Sequence, residues 1–373
     1  MMKKKHRVCR YLMLLSIAMN ILFLLPYAGR GLQKIGDAVR PVQYWKTSDS
    51  DELVVASVAR RTMNLDIDKT VMITDEYRGL FSDLRRFVFN RRSEVKCNYF
   101  TSYGLVGVSY LLLRTDGKEE VLSFLQSTAS KVIDKGGDSL SYSIEIVDQV
   151  PIGIVFINLY RATKRKEYLE LAEHIYNKLL TFRSEYTNLI GYRSNSKIAY
   201  VDAVGMYVPF LMEYFATTQD SLALQIAKDN MKEFYRYGID KETGIPMHGY
   251  SLDSKMKVGS ANWGRGIGWY LLAAAYCPFV NDSLLNQNVM DMDYSQFPGS
   301  SKHFDSSTAI MAEIYKYSKG LTPKSLNFIK PYVTQTGMVD SFSGDTYGIN
   351  DYSHQFGESE LGNGLLLMYY YRK

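Results

Sequence analysis

The sequence has few cysteines and no recognisable metal or phosphate motif. Only Cys9, Cys97 and Cys277 occur in 373 residues, and their spacing matches neither a metal site nor a cysteine-nucleophile signature. We expect Cys97 and Cys277 to be buried as small apolar residues, with a single disulfide between them as the alternative. No EF-hand loop and no phosphate-binding glycine loop with its lysine is present, so the sequence predicts no metal and no cofactor.

The N-terminus combines a basic cluster with an uncharged stretch. Residues 11–29 carry no charge, and they follow Lys3, Lys4, Lys5, Arg7 and Arg10. This order predicts an export signal or a membrane anchor over residues 1–29, with residues 11–28 in the inner membrane if the segment stays uncleaved. The bulk should then be periplasmic or in the cell envelope, and recovery of the full-length chain from the cytosol would contradict this. Because the net charge of +5 owes much to this cluster, it indicates no nucleic-acid partner.

The remaining chain shows helical periodicity, and strand-like alternation is rare. Some segments have one apolar face, such as 168–180 and 223–234, whereas others are apolar nearly all round. Amphipathic and fully apolar segments alternate at a spacing of roughly 50 residues, which is typical of helical hairpins with an inner and an outer layer. The apolar segments are 151–160, 204–215, 267–279, 309–317 and 361–371.

Together with segments 77–91, 102–114 and 119–133, these hairpins number about six. An all-α fold of the (α/α)6-barrel type accommodates them better than an open solenoid. We therefore predict three regions: the signal or anchor at 1–29, an N-terminal arm or stalk at 30–74, and a barrel domain at 75–373.

The most informative short segment runs from Trp263 to Trp269, Trp-Gly-Arg-Gly-Ile-Gly-Trp. Tryptophan offers a flat face to a sugar ring, arginine offers a fork to a carboxylate, and glycine lets a backbone approach a ligand closely. These residue types together indicate an acidic carbohydrate as ligand. The alternative is a glycine-softened turn with two core tryptophans.

Charged residues begin the apolar segments, and inner helices of a barrel all start at the same end. The residues are Asp148, Asp202, Arg265, Asp305 and Glu358. We expect them to meet at one mouth, which is the candidate site. The alternative is that the aspartates are ordinary N-caps, a position that aspartate favours.

These motifs resemble those of the unsaturated glucuronyl and rhamnogalacturonyl hydrolases, glycoside hydrolase families 88 and 105, over residues 75–373. The similar segments are 147–153 followed by 159–160, 201–210, 241–244 leading to 248–250, 263–269, 305–309 and 362–364. The chain departs from the family pattern at Gly191–Asn195, where an aromatic-His-Lys segment is common, at Gly205, where a tyrosine is common, and in a shortened stretch between Phe279 and Asp305.

The resemblance implies an (α/α)6 barrel that hydrates the C4=C5 double bond of a terminal unsaturated uronic acid in lyase-generated oligosaccharides. Asp202 matches the family's catalytic acid/base and Asp148 its second aspartate. His248, Trp263 and Arg265 match positions around the substrate ring and its carboxylate; Trp269 and Asp305 are further candidates for substrate binding. Taken alone, His248 is equally well a structural histidine.

Two other classes of function remain open from the sequence. One is a non-catalytic, membrane-tethered carbohydrate-binding protein of envelope polysaccharide assembly. The other is a different uronate-active enzyme on the same fold, such as a lyase, for which a tyrosine or histidine base at the mouth would serve.

Overall fold

The computed structural model describes residues 11–21, 42–64, 98–114, 118–133, 140–141, 143–184, 188–260, 263–277, 279, 283–295, 304–344, 346–352 and 356–372. The chain divides into two units, residues 1–43 with 74–93 and residues 44–73 with 94–373. In the first unit, residues 11–21 form a helix with exposed apolar side chains. Among the described residues no helix is both long and apolar enough to cross a membrane. Residues 22–28 of the predicted anchor and the predicted helix 77–91 lie outside the described residues.

The larger unit is built mainly of helices. They are α1 (Asp51–Met63), α2 (Asn98–Leu112), α3 (Lys118–Ser130), α4 (Ile152–Thr163), α5 (Lys166–Leu180), α6 (Val201–Thr218), α7 (Ser221–Glu233), α8 (Gly264–Tyr276), α9 (Ser283–Met290), α10 (Ser306–Ser318) and α11 (Glu360–Tyr371). The alternation of amphipathic and fully buried helices predicted from the sequence is confirmed. In α5, for example, the predicted face of Tyr168, Leu171, Ile175 and Leu179 is buried, while Glu170 and Lys178 are not.

Helices α2, α4, α6, α8, α10 and α11 form an inner ring that closes on itself. Closure is made where α11 packs on α2: Gly107 lies against Gly364, and Gly104 lies against Glu360. A side chain on Gly364 would collide with the backbone of Tyr103, so glycine is required for this close approach. Successive contacts run in the same direction along both helices, and the two are therefore parallel. The (α/α)6 barrel is thus the observed fold.

Large side chains and a polar network fill the inside of the ring. Tyr103 spans from α2 to the far side, where its ring lies 5.3 Å from that of Trp269 and its hydroxyl donates to the carbonyl of Gly205 at 3.4 Å. Toward the C-terminal ends of the helices, the Glu213 carboxylate accepts hydrogen bonds from Tyr110 at 2.6 Å and from Arg161 at 2.5 Å. The carboxylate and guanidinium form an ion pair, which offsets the cost of partly removing both charges from water.

The predicted N-terminal arm differs from the structure in its second half. Residues 51–63 form α1, and Val54, Val55 and Val58 are fully buried against the barrel. An ion pair of 2.6 Å between Asp51 and the buried Lys330 holds the start of this helix. Three valines on one face bury enough apolar surface to dock a helix of this length, although the pattern is too short to stand out in the sequence.

Short strands are grouped at the N-terminal ends of the inner helices. Strands β1 (Ile198–Tyr200), β2 (Gly249–Ser251) and β3 (Lys257–Val258) form an antiparallel sheet in that order. Strands β4 (Val339–Ser343) and β7 (Phe356–Ser359) pair antiparallel, as do β5 (Thr346–Gly348) and β6 (Asp351–Tyr352). Strand β1 leads directly into α6 and β7 leads directly into α11, so these strands carry side chains to the barrel mouth.

Cys277 ends α8 as a buried free thiol, as expected for a small apolar residue. Burial raises the pKa of its thiol to about 11, which makes it a poor nucleophile. Cys97 lies outside the described residues.

Candidate functional site

The charged residues predicted to converge lie at the N-terminal ends of the inner helices. Asp148 sits in a 3-10 turn, Val147–Gln149, just before α4, and Asp202 lies in the first turn of α6. Arg265 is the second residue of α8, and Asp305 caps α10. Glu358 lies in β7, two residues before α11. Because the inner helices are parallel, these positions share one mouth of the barrel.

A row of aromatic side chains begins at Asp148. The Tyr192 hydroxyl donates a hydrogen bond of 2.8 Å to Oδ2 of Asp148. The Tyr192 ring meets Tyr200 edge-on at 5.9 Å, and Tyr200 meets His248 in the same way at 5.9 Å. The antiparallel pairing of β1 with β2 sets Tyr200 opposite Gly249 and so brings His248 beside it.

The row continues into the tryptophan-rich segment. The His248 ring stacks on Trp263 at 4.7 Å, and the guanidinium of Arg265 lies 5.8 Å from the Trp263 ring. Arg265 donates a hydrogen bond of 2.8 Å to the carbonyl of Ser343 on β4. An unbroken series of contacts therefore joins Asp148 to Arg265 across three inner helices.

Asp202 does not act as the cap of α6, since Tyr200 occupies the N-cap position. Its Oδ1 accepts a hydrogen bond of 2.9 Å from the backbone N–H of Ala203, and the residue is half-buried. Burial raises the pKa of the Tyr200 phenol, and the Asp202 carboxylate raises it further. The Asp202 carboxylate therefore lies near enough to the Tyr200 phenol to act on it electrostatically.

Asp305 is a structural N-cap, which was the alternative interpretation of the sequence. Its Oδ1 accepts from the backbone N–H and hydroxyl of Ser307 and from the N–H of Ser343, and its Oδ2 accepts from Thr308. The carboxylate is 2 % exposed and is occupied by these donors. Through Ser343 it holds the segment to which Arg265 binds, so its place in the site is that of a support.

The two tryptophans are also more deeply placed than the sequence prediction of sugar stacking requires. Trp269 is 1 % exposed and packs against Gly205 and Tyr103 inside the barrel, so direct stacking of Trp269 on a sugar is not available in this structure. Trp263 is 4 % exposed and supports His248 and Arg265. The half-buried members of the site are instead Asp148, Asp202, Tyr192 and Tyr200.

His248 is an uncharged imidazole at neutral pH. Burial lowers the pKa of its side chain to about 4. Its backbone is held at both sides: its N–H donates to Ser260, and its carbonyl accepts from the N–H of Val201 at the start of α6. His248 is therefore a neutral ring between Tyr200 and Trp263, and its backbone ties the start of β2 to the helix that carries Asp202.

Sequence reasoning missed three residues of this region. Tyr192 and Tyr200 precede Asp202 by ten and two residues. Because the chain has thirty tyrosines, the sequence does not mark any single one of them as a site residue. Glu360 is the first residue of α11, two positions after Glu358, which the sequence indicates as a candidate. Its carboxyl is 3 % exposed, its Oε2 has no hydrogen-bond partner among the residues that the structure describes, and burial raises its pKa to about 8.

Replacement of Glu360 by glutamine should stabilise the protein in a pH-dependent way. The folded-state pKa lies above the unfolded value, so the wild type loses stability as pH rises from about 4.5 to about 8. By pH 7 this loss is on the order of 3 kcal/mol, and the neutral amide avoids it. Thermal unfolding at several pH values should show equal stability near pH 4.5 and a widening advantage for Glu360→Gln above it. A constant difference across this range would contradict the assignment.

No cluster of His, Cys, Asp and Glu in the described part of the chain is arranged to hold a metal ion. What the mouth offers is the two half-buried carboxylates of Asp148 and Asp202, a buried guanidinium, a neutral imidazole and an aromatic row. A helical barrel with acids, a guanidinium and aromatic side chains at one mouth is typical of carbohydrate-active enzymes of the six-hairpin type.

The comparison with protein families identifies the group. The family model for Glycosyl Hydrolase Family 88 matches residues 88–284, and the chain belongs to this family. It is accordingly a glycoside hydrolase of the unsaturated uronyl hydrolase type, the class that the resemblance of its motifs predicted. No curated protein matches the sequence.

Solved structures share the fold at low sequence identity. A family 105 glycoside hydrolase of C. acetobutylicum ATCC 824 is 16 % identical, with a TM-score of 0.61 over 86 % of this chain and 98 % of that one. An unsaturated glucuronyl hydrolase specific for heparin is 13 % identical, with a TM-score of 0.58 over 85 % and 94 %. The α-1,6-mannanase GH76A of Salegentibacter sp. HEL1_6, in a variant inactivated at two consecutive aspartates, is 15 % identical, with a TM-score of 0.57 over 86 % and 98 %.

Proposed function

We propose that the protein removes terminal unsaturated uronic acid residues from lyase-generated oligosaccharides by hydrating their C4=C5 double bond. Family membership supports the type of reaction. The observation that carries the proposal is the continuous row of contacts that joins Asp148 to Arg265 at the mouth of the barrel. Hydration of an acidic sugar needs carboxyl groups for proton transfer and a positive charge for the uronate. The row has a carboxylate, Asp148, at one end and a guanidinium, Arg265, at the other.

Hydration requires a proton at C4 and a water molecule at C5 of a vinyl ether conjugated to a carboxylate. Asp202 donates the proton to C4 as general acid, and its carboxylate then removes a proton from the water that attacks C5. The hemiketal formed at C5 opens, and the hemiacetal left at C1 releases the remaining oligosaccharide. One carboxyl group thus serves both steps, unlike ordinary glycoside hydrolysis at the anomeric carbon.

Asp202 must hold a proton when the substrate is bound, although its place at a helix N-terminus favours the carboxylate. The negative charges of Asp148 and of the substrate carboxylate oppose this effect, since each disfavours a further negative charge nearby. Asp148 is thus assigned the role of the ionised neighbour.

Arg265 supplies the positive charge that the substrate carboxylate requires. His248 cannot share this role at neutral pH, because burial keeps its pKa near 4. The hydrogen bond to Ser343 and the adjacent Trp263 ring hold the guanidinium in a fixed orientation. Tyr192 and Tyr200 offer the half-buried aromatic surface for the sugar.

The second candidate function is ordinary hydrolysis of a glycosidic bond, the type of reaction named for the α-1,6-mannanase that shares the fold. That protein was inactivated by replacing two consecutive aspartates. This sequence contains no two consecutive aspartates, and Asp202 stands between Val201 and Ala203. The two acids here come from separate segments, the 3-10 turn before α4 and the first turn of α6, and this difference from the mannanase favours hydration.

The test is the ultraviolet absorbance of the C4=C5 double bond. Purified protein is mixed with a panel of unsaturated disaccharides made by lyases from several acidic polysaccharides. We expect the absorbance of at least one member to disappear with release of the second sugar. Persistent absorbance across the panel, with binding still detectable by calorimetry, would favour the non-catalytic carbohydrate-binding alternative.

A further inference from the structure

Tyr192 binds the Asp148 carboxylate, although the sequence did not predict it as part of the site. Its hydroxyl lies 2.8 Å from Oδ2 of Asp148. The backbone makes a second link, because the N–H of Val147 donates to the Tyr192 carbonyl at 3.0 Å. Side chain and backbone of one residue thus hold the short turn that carries Asp148.

The loop around Tyr192 is itself held in place. The N–H of Gly191 donates to the carbonyl of Phe182 at 3.0 Å, and Gly191 lies so close to Ser196 that a side chain there would collide with it. The Tyr192 ring is supported edge-on by Tyr200. Because the loop is fixed, the Tyr192 hydroxyl has a fixed orientation, and it can therefore hold the Asp148 carboxylate in one position.

The chemistry of the pair suits a positioning role. A phenol donating to a carboxylate makes a charge-assisted hydrogen bond, which fixes the carboxylate rotamer and favours its ionised form. Asp148 is the group to which the reaction assigns a negative charge beside Asp202. Tyr200, which supports the Tyr192 ring, is the N-cap residue of the helix that carries Asp202 in its first turn.

We propose that Tyr192 is a positioning residue for the hydration reaction: its hydroxyl fixes the Asp148 carboxylate, and it acts on turnover through Asp148. The inference rests on the proposed function. It follows that removal of the hydroxyl has an effect only while Asp148 is present.

A double-mutant cycle tests this dependence on an unsaturated disaccharide that the wild type consumes. Tyr192→Phe removes the hydroxyl and keeps the ring, and we expect it to lower kcat about tenfold with little change in KM. Asp148→Asn should lower kcat further. In the double variant the loss should equal that of Asp148→Asn alone, since Tyr192 then has no carboxylate to direct.

Two further variants keep the test decisive. Tyr192→His retains a ring with an N–H donor and should recover part of the turnover lost in Tyr192→Phe, which a packing role would not predict. Tyr160→Phe is the matched control at the far end of α4, and it should keep wild-type kinetics.

The possible failures are distinguishable. If the wild type consumes the substrate but the two losses multiply in the double variant, Tyr192 acts independently of Asp148 and the inference is overturned. The same conclusion follows if Tyr192→Phe has wild-type kcat. If the wild type leaves every unsaturated disaccharide unchanged, the proposed function falls first, and the inference falls with it.

Discussion

Asp202→Asn should lower kcat by at least roughly 10²-fold, the lower end of what a positioned general acid contributes. Asparagine has nearly the same shape, and its side-chain oxygen can still accept the hydrogen bond from Ala203. It cannot transfer a proton to C4 or take one from water. We therefore expect an unchanged unfolding temperature and substrate affinity, measured by calorimetry, together with the loss of turnover.

The matched control for this variant is Asp220→Asn. Asp220 caps α7 after the C-terminal end of α6, and asparagine is an equally good cap. Wild-type turnover in this control would show that the amide substitution alone does not disturb the barrel. Near-wild-type turnover in Asp202→Asn would show that Asp202 does not transfer the proton. The fold and the family assignment do not depend on this result.

Arg265→Lys should act on substrate binding more than on turnover. Lysine keeps the positive charge, but it lacks the planar fork that pairs with a carboxylate through two parallel hydrogen bonds. It also cannot reproduce together the hydrogen bond to Ser343 and the contact with the Trp263 ring. The loss of one charge-assisted hydrogen bond, roughly 1.5–3 kcal/mol, predicts an increase in KM of about tenfold to a hundredfold.

Steady-state kinetics on an unsaturated disaccharide and on its carboxyl-reduced analogue would test the assignment. The reduced analogue lacks the charge, so Arg265→Lys should discriminate between the two substrates less than the wild type does. Arg165→Lys, an exposed arginine between α4 and α5, serves as the control. If Arg265→Lys raised KM equally for both substrates, Arg265 would not be the residue that binds the substrate carboxylate.

The barrel could be predicted from the sequence because its inner helices are apolar on every side. Segments such as 204–215 and 361–371 have no wet face, so they belong only in the inner layer of a two-layer fold. Because the inner helices of such a barrel are parallel, the sequence also predicted that Asp148, Asp202 and Arg265 lie at the same end of the barrel. Helix α1 was missed because three buried valines make too short a pattern.

The composition of the site was harder to predict, because it depends on depth rather than on position along a helix. Trp263 and Trp269 carry the strongest sequence signal, yet both are almost fully buried, and Asp305 is occupied as a cap. Tyr192 and Tyr200 reach the mouth through loop and strand geometry, which periodicity does not record. Glu360 is noticed only through its burial.

The central claim is that water adds at C5 and not at the anomeric carbon. It is tested by an unsaturated disaccharide in which sulfur replaces the glycosidic oxygen. Hydration needs no proton on that atom, so we predict that the ultraviolet absorbance of the thio-linked substrate disappears at a rate comparable with that of the oxygen-linked substrate. Ordinary hydrolysis begins by protonating that atom, and sulfur is a weak acceptor. A thio-linked substrate that stays intact while its oxygen counterpart is cleaved would contradict the hydration mechanism.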